Sequence, residues 1–167
     1  RELFDSLLDI SRLDVAGIGT DIRAFAVNPL LERLASSFRG VAVDRQQTLV
    51  FRPTGLWVES DSALLERILS NLIANALRYT APGGRVFVGV RRRGGNALIE
   101  VRDNGCGIAS DHHDVIFGEF YQVGNPARQP QQGLGLGLAI VARLARALGI
   151  AVGVRSAIGR GSTFSLL

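Results

Sequence analysis

The sequence predicts an α+β fold, a two-layer α/β sandwich with helices packed on one face of a mixed, mostly antiparallel sheet. Three observations carry this reading. Apolar residues recur at spacings of three and four behind a cap signal at Ser60-Asp61, which is a helix pattern. Two short apolar runs flank Gly94-Gly95-Asn96, which is a hairpin pattern. A glycine-rich loop then opens into a second apolar helix near Gly135.

The elements follow in order. Residues 1–13 carry Leu3, Leu7 and Ile10 beside Phe4 and Leu8, a helical seam that faces another helix, and 15–19 break it as a hinge. Ile22 to Val27 reads as a strand. Asn28 is expected to cap a helix with Pro29 at its first position, running to about Gly40 or beyond. Thr48–Phe51 and Leu56–Val58 read as short strands, and the capped helix runs from Asp61 to Tyr79. The hairpin occupies 85–90 and 97–103. A helix from about Gly135 to Leu148 and strands near 150–155 and 162–167 complete the chain.

With 167 residues, 47% of them hydrophobic and 20% charged, the chain is too apolar for disorder. It can bury roughly 70% of its unfolded surface in one core. A single cysteine, Cys106, excludes an internal disulfide and a cysteine-rich zinc site. No apolar run approaches the ~20 residues of a membrane span. The start at Arg1 lacks Met and a signal-peptide core, so the chain is expected to be a piece of a longer one. The net charge is +4 and the pI about 10.5. All nineteen basic residues are arginine. That uniformity reads as base-composition bias, and Arg91-Arg92-Arg93 as a solvated strand end, so no nucleic-acid partner is expected.

Four segments carry chemistry. On the helix from Asp61, Asn71, Asn75 and Arg78 line up at i, i+4 and i+7 beside the core stripe of Leu65, Ile68, Leu69, Leu72 and Ala76. Mid-helix asparagine costs helix stability without local return, which marks the pair as functional candidates. In Asp103-Asn104-Gly105-Cys106-Gly107-Ile108 a strand ends on a carboxylate, and two glycines permit close backbone approach. Gly133-Leu134-Gly135-Leu136-Gly137-Leu138 offers free N–H groups at a helix N-terminus, suited to polyphosphate, but it is not a Walker loop. Gly159-Arg160-Gly161-Ser162-Thr163 turns into the final strand.

Taken in this order, the segments resemble the catalytic and ATP-binding domain of sensor histidine kinases, of the superfamily shared with gyrase, MutL and a heat-shock chaperone. Residues 71–80 resemble its N box, 103–107 its first glycine box, 117–121 its F box, 133–137 its second glycine box and 159–163 its third. Residues 1–16 resemble the end of the second helix of a dimerisation and phosphoacceptor domain, leaving 17–167 as the catalytic domain. The resemblance implies two cofactors, ATP and Mg²⁺. Asn75 would hold the metal, with phosphates and water completing a weak neutral ligand. Arg78 and Tyr79 would lie near phosphates and ribose. Asp103 would accept the adenine amino hydrogen bond and select against guanine. Gly105, Gly107 and Ile108 would pass over the purine.

The resemblance also implies an ATP lid between the F box and the second glycine box, with Arg128 as its candidate γ-phosphate contact. Phe120 is grouped with the nucleotide residues, its expected part being to anchor the lid to the core together with Phe117. Gly133, Leu134, Gly135, Leu136 and Gly137 would cradle the phosphates, and Thr163 would come from the third box. ATP-hydrolysing relatives carry glutamate where Asn71 stands; asparagine takes no proton at neutral pH, so transfer to a protein histidine is implied instead of hydrolysis. His112 and His113 are expected as surface residues, and the acceptor histidine is missing.

The implied function is γ-phosphoryl transfer from ATP to a histidine on the chain's own upstream helical domain, for relay to a response-regulator receiver domain. A homodimeric parent is expected, with this piece monomeric or weakly dimeric. Its place is the cytoplasm, whether the parent is membrane-bound or soluble. The alternatives are a regulatory pseudokinase and an anti-sigma-factor serine kinase of the same superfamily, with nucleic-acid binding supported by the pI alone.

Overall fold

The computed structural model describes residues 19–121 and 135–167. The seam of residues 1–16, Arg128, Gly133 and Leu134 lie outside the described residues.

Strand β1 (Arg23–Ala26) leads directly into helix α1 (Val27–Asp44). The helix begins behind Ala26 with no side-chain cap, so the expected cap at Asn28 is corrected. Asn28 lies inside the first turn instead. Its amide donates to Glu32 Oε1 at 2.7 Å, and its Oδ1 accepts the Thr54 N–H at 3.1 Å, which ties a distant loop to α1. Pro29 is third in the helix, where its missing N–H is still one of the unpaired first-turn donors.

Strands β2 (Thr48–Phe51) and β3 (Trp57–Ser60) precede helix α2 (Ser62–Tyr79). Asp61 caps α2 as expected: Oδ1 accepts from Ala63 and Leu64 N–H at 3.0 Å, and Oδ2 from Asp21 N–H at 2.9 Å. These bonds, led by that from Asp21, hold its carboxyl below the ordinary range. Leu65, Ile68, Leu69, Leu72 and Ala76 are all buried, as their spacing requires.

Strands β4 (Arg85–Arg93) and β5 (Asn96–Asp103) form the hairpin, and the arginine triplet continues β4 to its exposed end. Helix α3 (Gly137–Ala147) starts two residues later than the sequence suggests, then β6 (Val152–Ala157) and β7 (Gly161–Leu166) close the chain. The main sheet has the order β2-β4-β5-β7-β6, with β2 parallel to β4 and every other pair antiparallel. Strands β1 and β3 pair in a separate ribbon, which the sequence reading did not distinguish.

Strand alternation divides the sheet. Val86, Val88, Ile99, Val101, Phe164 and Leu166 point inward to one core shared with all three helices. The candidate site opens at the end of that core where β5 stops.

Candidate functional site

Asp103 ends β5 on the inner face, and the chain then turns sharply under α2. Gly105 N–H bonds Asp103 Oδ1 at 2.9 Å, and Cys106 N–H bonds the Tyr79 carbonyl at 3.2 Å. A Cβ on Gly105 would lie 2.3 Å from that carbonyl oxygen, so only glycine allows the approach. From the other side comes the turn before β7. Gly161 adopts φ +79°, where a Cβ would stand 2.0 Å from the Asp103 carbonyl oxygen. This contact delivers the Ser162 N–H to Asp103 Oδ1 at 3.2 Å.

Both bonds reach one carboxylate oxygen. Among the described residues no donor reaches Oδ2, which leaves it an open acceptor. Burial pushes the Asp103 carboxyl above its ordinary value, with the Gly105 and Ser162 N–H groups opposing. An acidic group raised by desolvation at a cavity is a functional-site signal.

The cavity beside it measures about 200 Å³. Its walls come from Asn75, Ala76 and Tyr79 on α2, Asp103, Cys106, Gly107 and Ile108 at the end of β5 and on the loop, Ile116 and Tyr121, Leu138 on α3, and Ser162 and Phe164 on β7; Gly105 shapes the loop without lining the cavity. Apolar walls beside the open Asp103 oxygen suit a flat heteroaromatic ligand that donates a hydrogen bond.

Asn75 faces the first turn of α3. A Cβ on Gly137 would be 3.4 Å from its Nδ2 and 3.2 Å from Asn71 Oδ1, so the positive end of α3 abuts both asparagines. The Asn75 carboxamide bonds no described residue and lines the cavity, and it is available as an oxygen ligand. Among the described residues no three His, Cys, Asp or Glu side chains gather to hold a metal. A divalent cation at Asn75 therefore fits only with further oxygens brought by a polyphosphate.

The structure thus brings Asn75, Tyr79, Asp103, Gly107 and Ile108 to one cavity. Asn71 sits one turn back, half-buried, donating to the Arg67 carbonyl at 2.9 Å. Arg78 is exposed and does not line the cavity. Gly135 turns at φ +70° against the Tyr121 carbonyl, and Leu136 is buried in the core.

Three expectations shift. Thr163 lies between the inward Ser162 and Phe164, so alternation turns it to the outer face and Ser162 takes its place at the cavity. Phe117 packs on the core, edge-on to Phe164 at 6.4 Å and 87°, whereas Phe120 is 62% exposed at φ +59° and lies outside the core formed by the described residues. His112 and His113 are half-buried, not free on the surface. The His112 ring bonds the Tyr121 hydroxyl, and His113 Nε2 lies 3.3 Å from the Ile108 carbonyl. Ile116, Tyr121 and Leu138 line the cavity without being expected as site residues, Tyr121 being placed only in the F-box segment. Cys106 also lines the wall.

Known proteins are similar to this chain in sequence and fold. The chain is 35% identical over 167 residues to the sensor-like histidine kinase SenX3 of Mycolicibacterium smegmatis, which covers 99% of this chain and 43% of that protein. It is 31% identical over 163 residues to the sensor protein SrrB of Staphylococcus aureus, covering 97% of this chain and 28% of SrrB. Full-length ShkA, solved in complex with AMPPNP, superposes with a TM-score of 0.84 at 30% identity, over 99% of this chain and 34% of that one. The chain spans less than half the length of each of the three. The histidine kinase-, DNA gyrase B-, and HSP90-like ATPase family matches residues 60–167, a stretch that runs from the cap of α2 through β7. Because that stretch supplies every residue lining the cavity, and the match takes in well over half of the sequence, the chain belongs to this ATPase family.

Proposed function

We propose that the chain is the ATP-binding kinase domain of a two-component sensor histidine kinase, which transfers the γ-phosphoryl group of Mg²⁺·ATP to a histidine on its own upstream helical domain. The observation that carries the reading is Asp103, a half-buried carboxylate with one oxygen left open, at the edge of an apolar cavity that leads to Asn75 and the first turn of α3.

In this reading Asp103 accepts the adenine amino hydrogen bond and rejects guanine, whose carbonyl would oppose it. Ile108, Ile116 and Phe164 enclose the ring, and Asn75 holds Mg²⁺ jointly with the phosphates. The first turn of α3 places its positive end beside the negative charge. Arg78 and Tyr79 flank ribose and phosphates, and Arg128 is the lid's γ-phosphate contact. Asn71 supplies no base for water, so the site serves positioning and charge neutralisation in phosphoryl transfer. The phosphohistidine then passes its group to an aspartate on a response-regulator receiver domain, and the parent chain is a homodimer with this domain in the cytoplasm. The names of the relatives, a sensor-like histidine kinase and a sensor protein, support the sensor-kinase part of this reading.

Calorimetric titration with ADP, with and without Mg²⁺, beside GDP and the Asp103→Ala protein, tests the reading. Saturable ADP binding, absent with GDP and lost in the variant, is expected. Equal affinity for ADP and GDP overturns the adenine assignment. Incubation with γ-labelled ATP should leave this chain unlabelled, since neither His112 nor His113 is an acceptor; an acid-labile, base-stable label on it refutes that point.

A further inference from the structure

The inner face of the sheet belongs to the core and the nucleotide cavity. Its outer face carries a separate constellation. Register places Arg91 of β4, Glu100 and Arg102 of β5 and Arg155 of β6 together at the centre of that face. The Glu100 side chain is only 5% exposed, yet it engages all three guanidinium groups: Arg102 Nη2 at 2.5 Å, Arg91 Nε at 3.4 Å and Arg155 Nη2 at 3.4 Å.

The arginines themselves remain open, with side chains 56%, 47% and 78% exposed for Arg91, Arg102 and Arg155. A carboxylate has about four lone-pair sites, whereas each guanidinium presents about five donors. Glu100 therefore orients the three forks without saturating them. Three arginines against one glutamate leave two positive charges uncompensated, half of the formal +4 of the whole chain.

The cross-strand row that holds Arg102 and Arg155 continues into apolar residues on β4 and β2. Phe87 pairs with Arg102 across β4–β5, with the Arg102 guanidinium carbon 5.9 Å from the ring centroid. Phe87 also pairs with Val50 of β2, which is 38% exposed. Arginine beside aromatic and aliphatic surface is the composition of protein–protein interfaces, and a groove for nucleic acid would not place a carboxylate at its centre.

We propose that this outer face docks an acidic protein segment, whose carboxylates pair with Arg91, Arg102 and Arg155 while an apolar side chain rests on Val50 and Phe87. Strands β4 and β6 lie three strand spacings apart, roughly 14 Å. An extended partner therefore meets the array with acidic residues spread over about four positions. This surface is independent of the nucleotide reading.

The test is fluorescence anisotropy with a labelled peptide of Glu-Glu-Leu repeats, with single-stranded DNA of matched charge as the competing probe. The double variant Arg91→Gln/Arg155→Gln should weaken peptide binding at least tenfold. The control Arg39→Gln/Arg92→Gln removes the same charge from outside the array and should change it less than twofold. Phe87→Ala should weaken the Glu-Glu-Leu peptide but not an all-glutamate peptide of equal charge. Circular dichroism melts of each variant establish that it is folded. Equal losses in the two double variants reduce the effect to net charge and overturn the proposal. DNA binding tighter than the peptide, and lost with the same arginines, overturns it in favour of nucleic acid.

Discussion

Replacing Asp103 by Asn separates ligand recognition from folding. The two side chains have nearly the same shape, and Asn Oδ1 can still accept from Gly105 and Ser162 N–H, so the loop keeps its two bonds. What changes is the open position. An acceptor becomes an NH₂ donor, set against the donor that the adenine amino group would present. A hydrogen bond to a charged group contributes about 1.5–3 kcal/mol, and a buried donor left unpaired costs about 1–3 kcal/mol more. The expected loss is thus about 3 kcal/mol or more, roughly a hundredfold or more in Kd for ADP. Folding should respond in the opposite sense. The folded carboxyl is raised by burial, so in the unliganded protein its contribution to stability is full below the ordinary value of 3.8 and is lost as pH rises through the folded one. At neutral pH the neutral amide removes that penalty, and the melting temperature of Asp103→Asn should equal or exceed that of the parent. Calorimetry with ADP and a thermal melt on the same samples decide the matter. A change in Kd below threefold, or lost binding accompanied by a melting temperature several degrees lower, would refute the reasoning.

Cys106 is the sole cysteine and lines the cavity wall, so its alkylation rate should fall severalfold when ADP is present and stay unchanged with GDP; equal rates would deny that nucleotide occupies this cavity. Asn71→Glu would place a carboxylate against the first turn of α3 and one turn from Asn75, and ATP hydrolysis should rise tenfold or more; no rise in phosphate release counts against the hydrolysis-versus-transfer reading. Asp61 and Glu100 both titrate below their ordinary values of 3.8 and 4.5, Glu100 because its arginines outweigh its burial. Their contribution to stability is present above those ordinary values and lost as pH falls through the folded ones. An acid series of thermal melts should show that loss, and Asp61→Asn should flatten it.

What was legible in the sequence was local. The cap at Asp61 acts on residues two and three positions on, and the stripe on α2 follows from helical spacing, so both were found in place. Asn28 looked like a cap by the same rule, but its carbonyl oxygen serves Thr54, 26 residues away, and no local pattern encodes that partner. Thr163 against Ser162 is a question of strand phase. The phase is set by the pairing of Val101 with Phe164, which only the assembled sheet shows. The apolar walls, Ile116, Leu138 and Phe164, are chemically indistinguishable from core residues and become site residues only because β5 ends where it does. The paired asparagines and Asp103 were visible because polar residues beside an apolar face demand a reason.

The period of two along β5 links the two surfaces of this molecule. Val101 and Asp103 point inward, Glu100 and Arg102 outward, so four consecutive residues serve core, cavity and outer array in turn. A one-residue slip of β5 against its neighbours would turn Glu100 and Arg102 inward to the core and the apolar cavity, away from Arg91 and Arg155, and carry Val101 to the outer face. Register on this strand is therefore held by more than apolar contact. Gly161 reinforces it from β7, since its backbone meets the Asp103 carbonyl so closely that no other residue could stand there without parting β5 from β7. The same close contact brings the Ser162 N–H to the carboxylate, which makes the geometry of the binding group a consequence of correct strand pairing.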